Sequence, residues 1–198
     1  MKLLTTKRSP YARKVRIVAL EKNIPLELIA EDLAQKSLTL LSANPVGKIP
    51  TLILDNGTTL CDSPVICEYL DGLTNTPILI PKKDPAQYFK IINLAAIADG
   101  LMDVTVARYM ETVRHPKDLN EDFIKKQDTL ITSCLKFFNE HVKDLHPLTI
   151  AAIAAASALG YLNFRLAQLA SPEKYPSLRA WFLKFSKRPS LSQTMPTA

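Results

Sequence analysis

The pattern of apolar residues changes character once along the 198-residue chain, and that change limits the fold more than any other feature. Over residues 1–76, short apolar runs alternate with helix starts. Residues 2–5 and 26–30 read as strands. Residues 51–54 and 58–61 read as two more, joined by Asp55-Asn56-Gly57, a strong hairpin signal. Ser9-Pro10 and Asp62-Ser63-Pro64 each set a capping side chain before a proline suited to the first helical turn. The first opens a helix with Val15, Val18 and Ala19 on one face, stopped by Asn23 and Pro25; the second runs to Gly72. Residues 37–43 are a short helix or loop. This order places two parallel strands around a helix and adds an antiparallel pair, giving a mixed four-stranded sheet flanked by helices.

Residues 74–85 hold three prolines and no periodicity, as a linker does. Helical spacing then dominates: residues 87–112, 120–145 (with Phe123, Leu130, Ile131, Leu135 and Phe138 as the buried stripe), an alanine-rich stretch at 149–169, and 176–187 with Leu178, Trp181, Phe182 and Phe185. Pro189 opens a last short helix or tail. The chain is therefore α+β: a sheet domain at 1–76, a linker at 77–86 and an all-α domain at 87–198.

Composition excludes several classes. A hydrophobic fraction of 47% is that of a globular protein. No apolar run reaches the roughly 18 residues of a membrane span, and the N-terminus lacks the apolar core of a secretory signal, so the expected compartment is the cytoplasm. Cys61, Cys67 and Cys134 have no redox or zinc spacing, and His115, His141 and His146 make no metal pattern with them, so no metal is expected. The net charge of +6 is carried mainly after residue 76. No base-reading motif or aromatic platform accompanies it, so no nucleic acid is expected as a partner. A second excess, Lys2, Lys7, Arg8, Arg13, Lys14 and Arg16 without an acid, would attract a small anion.

Three features carry chemistry. Ser9, where a strand gives way to a helix, puts a hydroxyl beside unpaired N–H groups and the positive end of the helix dipole, a place that stabilises an anion or thiolate. In Asn44-Pro45-Val46-Gly47-Lys48-Ile49-Pro50, a cis bond before Pro50 would leave the N–H and C=O of Ile49 free to pair with an extended peptide. At Asp62-Ser63, the hydroxyl and adjacent N–H groups suit a carboxylate and Asp62 suits an ammonium, together a receptor for an α-amino-acid end. Taken singly, each also looks like an ordinary cap or loop proline.

In this order, and followed by a helical domain, the three features closely resemble the cytosolic glutathione transferases. Ser9-Pro10-Tyr11-Ala12-Arg13-Lys14-Val15-Arg16 is similar to bacterial members with a serine at the active site. Ala98-Asp99-Gly100 and Ala158-Leu159-Gly160-Tyr161-Leu162 extend the likeness. The resemblance implies a thioredoxin-like N-terminal domain binding glutathione as co-substrate, an all-α domain lining the pocket for a small, mostly apolar electrophile, and a homodimer. It implies that Ser9 donates to the glutathione sulfur and that Ile49, before a cis Pro50, pairs with the cysteinyl backbone. It implies further that Asp62 and Ser63 hold the γ-glutamyl end, and that Lys36 and Lys48 face the glycine carboxylate. Arg13 or Arg8 would assist Ser9. Tyr11, Met102, Val106, Tyr109, Met110 and Trp181 are candidates for pocket wall or core, Trp181 for core. Asp99 could face the partner subunit's site or be solvated.

Two departures stand out. Ser9 is not the cysteine that marks thiol-exchange members, which favours conjugation. Ala152 stands where the family places an aspartate that completes the capping box with Thr149. Cys61 is expected as a buried strand cysteine with no role. Rival readings are a regulatory protein on the same fold, like the stringent starvation proteins, and a glutathione-dependent isomerase or peroxidase.

Overall fold

β1 (Lys2–Thr5) is an interior strand of the four-stranded sheet. It runs parallel to β2 (Glu27–Ala30), with Leu3 beside Leu28, and antiparallel to β3 (Thr51–Ile53), with Leu3 beside Leu52. β3 pairs in turn with β4 (Thr59–Leu60), so the strand order is β2-β1-β3-β4. The computed structural model describes residues 1–170 and 173–197. Alternation of side chains across the sheet divides the core. Leu3 and Leu52 join Val15 and Val18 of α1 (Pro10–Glu21) and Ile66 and Leu70 of α3 (Ser63–Gly72) in the main cluster. Leu4 joins Ala12, Ile49 and the Leu40 and Ala43 side chains of α2 (Leu38–Ala43) in a smaller one. Gly57 closes the β3–β4 hairpin at φ +86°, a conformation side chains disfavour.

The helical part comprises α4 (Pro85–Arg114), α5 (Glu121–Glu140), α6 (Ile150–Arg165), α7 (Pro176–Phe185) and α8 (Pro189–Ser192), with single 3-10 turns at Val142–Leu145 and Ala167–Leu169. Those turns account for the two places where a longer helix was expected: the α-helices stop at Glu140 and Arg165. α6 is the central helix, buried on every side from Ile150 to Leu162. Its alanines let α1 and α4 approach closely, and Thr149 caps it by accepting from the Ala152 N–H at 3.4 Å. The buried stripe of α5 is Ile124, Gln127, Ile131, Leu135 and Phe138. Phe123 flanks this stripe half-buried and Leu130 is exposed, because Ile124 rather than Phe123 is in register with Ile131.

The segment between sheet and helices is held by one buried ion pair. Lys22 Nζ donates to Asp71 Oδ1 at 2.9 Å and to the carbonyls of Thr74 and Pro77 at 2.7 Å. Asp71 also accepts from the N–H groups of Leu79 and Ile80 at 3.0 Å. Every charge-bearing atom therefore has a partner, the condition under which a buried pair is tolerated. The chain end folds back on α1. Arg188 donates to both carboxylate oxygens of Glu21, at 2.9 and 2.8 Å, and Ser190 donates to the same group.

Candidate active site

Ser9 is the N-cap of α1, with extended backbone (φ −75°, ψ 124°) and its Oγ accepting from the Ala12 N–H at 3.2 Å. It is half-buried, and its own hydroxyl proton is free to point outward. No acidic residue occupies the first turn, so nothing in the helix offsets the positive end of its dipole.

The loop before β3 is built by Asn44. Its Nδ2 donates to the Lys48 carbonyl at 2.9 Å and to Thr51 Oγ1 at 3.2 Å, and its Oδ1 accepts from the Val46 N–H at 3.0 Å. The Thr51 hydroxyl donates to the same Lys48 carbonyl at 2.9 Å. These bonds engage the backbone on the Lys48 side and leave Ile49 alone: among the described residues, neither its N–H nor its C=O has a partner. The Ile49–Pro50 bond is cis. The Ile49 side chain is anchored beside Ala12, one turn into the helix that Ser9 caps. Lys48 is exposed. Gly47 has φ +61°, and a Cβ there would lie 3.0 Å from Lys36 Nζ, so the exposed Lys36 side chain lies over this loop.

Asp62 caps α3 by accepting from the Ser63 N–H. Ser63 is 1% exposed, and its Oγ has no hydrogen-bond partner. A buried hydroxyl left unpaired costs about 1–3 kcal/mol, so one at a helix N-terminus is suited to an incoming acceptor. The structure thus gathers Ser9, Ile49, Pro50, Lys36 and Lys48 around the contact of α1 with the β3 loop. It sets Asp62 and Ser63 at the head of α3, with Asp62 within electrostatic reach of Asp99 on α4.

Four features of this region differ from the expectations or escape them. Arg13 is no helper of Ser9. It is 1% exposed and donates to the Leu191 carbonyl at 3.2 Å and to Thr194 Oγ1 at 3.4 Å, and burial lowers its guanidinium to about 10. Lys14, also 1% exposed, donates to both oxygens of Asp99 at 2.6 and 2.8 Å, so Asp99, partly exposed, is held in an ion pair between α1 and α4. Burial raises the Asp99 carboxyl against the opposing pull of Lys14. Cys61 lies exposed just past β4, not buried in a strand, while Cys67 is the buried thiol, pushed up to about 12 by burial. Tyr11 donates to Asp103 of α4, tying the start of α1 to the helical part. Spacing carries a signal for two of these: Arg13 and Lys14 stand four residues before the buried Ile17 and Val18, on the inward face. Of the pocket candidates, Met102 is core.

A mixed sheet with a cis-proline loop before its third strand, joined to an all-helical half, is the thioredoxin-like plus all-α architecture. Residues 3–77 match the family described as Glutathione S-transferase, N-terminal domain, and residues 105–183 match Glutathione S-transferase, C-terminal domain. The chain belongs to the glutathione S-transferase family. The Uncharacterized GST-like protein YibF of Escherichia coli (strain K12) is 34% identical over 169 residues, which cover 83% of each chain. A family member from Pseudomonas fluorescens Pf-5, solved with S-(propanoic acid)-glutathione bound, is 37% identical with a TM-score of 0.90 over 100% of both chains. A glutathione S-transferase from Methylobacillus flagellatus KT, solved with glutathione bound, is 36% identical with a TM-score of 0.93 over 99% of both.

Proposed function

We propose that the protein binds glutathione as co-substrate at the heads of α1 and α3 and joins its sulfur to a small electrophile. The observation that carries this reading is the polar capacity left unused around one place: the Ile49 N–H and C=O and the buried Ser63 hydroxyl. An extended tripeptide supplies what they lack. Its cysteinyl backbone pairs with Ile49, its γ-glutamyl carboxylate accepts from Ser63, its ammonium faces Asp62, and its glycine carboxylate faces Lys36 and Lys48. Solved relatives with glutathione or a glutathione derivative bound support the assignment.

Ser9 then donates a hydrogen bond to the sulfur, and the thiol proton leaves to solvent. A thiol titrates near pH 8.5, so about a few per cent is thiolate at neutral pH. Lowering that value by roughly two units needs about 2.7 kcal/mol of preference for the anion. A hydrogen bond to a charged acceptor contributes roughly 1.5–3 kcal/mol, and the helix N-terminus about 0.3–1 more. With Arg13 committed elsewhere, Ser9 and its helix carry this task, with Arg8 as the free cation beside it. The thiolate attacks the electrophile: with an aryl halide, a C–S bond forms, the C–halogen bond breaks, and halide departs with the electron pair. Ser9 stays a donor throughout.

Three unpaired cysteines suit a reducing compartment such as the cytoplasm. The exposed apolar side chains of Val65 on α3 and Phe89 on α4 suit a homodimer, which light scattering on wild type and Phe89→Glu would test. The function is tested by calorimetry with glutathione followed by turnover of a generic aromatic halide. Saturable binding with turnover is expected. A protein that ignores glutathione has some other role on this fold, and one that binds it without turnover favours the regulatory reading.

A further inference from the structure

The residues flanking the Ser9-Pro10 cap, Arg8 and Tyr11, both lie within electrostatic reach of the Tyr161 hydroxyl on α6. One helical turn beyond Tyr161, Arg165 lies with its guanidinium carbon 4.2 Å from the centre of the Tyr109 ring and 4.2 Å from that of Phe164. The Tyr161 ring is 6.0 Å away, and its hydroxyl lies beside the guanidinium. Nε of Arg165 is buried and has no acceptor among the described residues. Among the described residues, neither Arg165 nor Arg8 is paired with a carboxylate. The carboxylate of Asp103, near Tyr11, is already engaged by the Tyr11 hydroxyl.

Rings packed against a guanidinium fix its plane and leave its edge as the direction of strong bonding, which suits an in-plane, two-oxygen acceptor. Arg165, walled by Tyr109, Tyr161 and Phe164, and the exposed Arg8 from a separate segment, neither of them ion-paired among the described residues, make a place that is aromatic and positive at once. A cation in the last turn of α6 also meets the helix dipole favourably. That role explains a charge at position 165 but not the aromatic clamp, nor the approach of Arg8 from the other end of the site.

We propose that Arg165, assisted by Arg8 and the Tyr161 hydroxyl, recognises a carboxylate on the second substrate, so that the electrophile is an aromatic or conjugated carboxylic acid rather than a neutral apolar compound. This rests on the glutathione reading and narrows it. The anion sits at the Arg165 end while the carbon under attack faces the sulfur at Ser9.

The test is calorimetry on the full chain with three ligands: glutathione, S-benzylglutathione and S-(4-carboxybenzyl)glutathione. The expected result is about tenfold tighter binding of the carboxylated derivative than of the benzyl one, the effect of one charge-assisted contact, shrinking as salt is raised. Arg165→Gln should erase most of that preference while leaving the affinities for glutathione and S-benzylglutathione within about twofold, a split that loss of a packing role alone does not produce. Arg8→Gln should reduce it by a smaller factor. Equal binding of the two derivatives by the wild type, or a preference kept in Arg165→Gln, overturns the carboxylate assignment and leaves the glutathione reading intact. If Arg165→Gln does not fold, Arg165→Lys and Arg8→Gln decide, and an undiminished preference in both overturns it. Failure of glutathione itself to bind the wild type removes both readings.

Discussion

The N-caps of α1 and α6 are close chemical relatives in opposite surroundings. Ser9 and Thr149 each sit in extended backbone, and each accepts the N–H three residues on, at 3.2 and 3.4 Å. Thr149 is buried, and the next residue's N–H donates to the Leu79 carbonyl at 3.0 Å, so this cap is bound into the segment linking sheet and helices. Ser9 is half-buried, with the Ile49 backbone nearby unpaired among the described residues. The same hydroxyl at the same helical position therefore stabilises the fold in one place and, on the proposed glutathione reading, serves a ligand in the other. What separates them is whether the neighbouring polar groups have already found partners.

The largest expected effect comes from removing each cap. Ser9→Ala should lower kcat/KM by about 10- to 100-fold, with a smaller loss of glutathione affinity and a stability cost of about 1 kcal/mol for the cap. Thr149→Ala should cost about 1–2 kcal/mol of stability, with kcat/KM of the folded protein unchanged. Chemical denaturation and steady-state kinetics on both variants measure the contrast. Comparable activity losses in the two would erase it.

Next in size is the crossing of the two helices. A Cβ at Gly160 of α6 would lie 1.9 Å from Arg13 Nη1, and Arg13 is held by Thr194 and Leu191 with almost no exposure. Gly160→Ala must displace a buried, bonded guanidinium, at about 1–3 kcal/mol. Each kcal/mol lowers the melting temperature of a chain this size by about 2–4 °C. An unaltered melting temperature would mean that Arg13 moves aside freely and the C-terminal segment does not fix α1.

How far the sequence disclosed all this follows from the same division. The sheet order, the capped helices and the Ile49-Pro50 loop are local: each rests on residues within a turn or two of one another, and periodicity and turn chemistry report them directly. The α5 stripe failed by register, since Phe123 and Leu130 are as apolar as Ile124 but stand outside the face that Ile131 sets. The long-range partnerships were not legible: Lys14 with Asp99, Lys22 with Asp71, Arg13 with the chain end, Arg165 against Tyr109. A lysine destined for burial reads as a surface charge until the carboxylate that neutralises it is brought in by tertiary packing. The early cluster of basic residues shows the cost of that blindness, since Arg13 and Lys14 attract no ligand.

The far end of α1 gives a smaller effect with a pH signature. Arg188, by its side-chain hydrogen bonds, holds the Glu21 carboxyl below its ordinary range, with Ser190 adding to it against the opposing effect of burial. A carboxyl depressed in the folded state contributes stability above its unfolded value, about 4.3, and loses it as pH falls through the lower folded value. Arg188→Gln should therefore cost about 1 kcal/mol at pH 7 and progressively less towards pH 3, read from denaturation midpoints. A cost that is the same at both pH values would assign the effect to packing over Phe185 instead, where the guanidinium lies 5.8 Å from the ring centre.

The smallest effect tests whether the buried cap is as complete as its burial implies. α6 has no acidic residue in its first turn, and among the described residues the Thr149 N–H has no acceptor. An aspartate at position 152 can reach back to that N–H and lies at the positive end of the helix dipole, both favourable. Against this, Ala152 is fully buried, and a carboxylate there gives up its hydration. With one backbone bond and the dipole set against that loss, Ala152→Asp should stabilise by about 0.5–1 kcal/mol at pH 7. The bonded carboxylate is the form the fold favours, so the gain should be fully present above the unfolded aspartate value of about 3.9 and be lost as pH falls through the lower folded value. A lower melting temperature at pH 7 would show that hydration outweighs the reciprocal bond, and that alanine is the better residue wherever a cap serves the core alone.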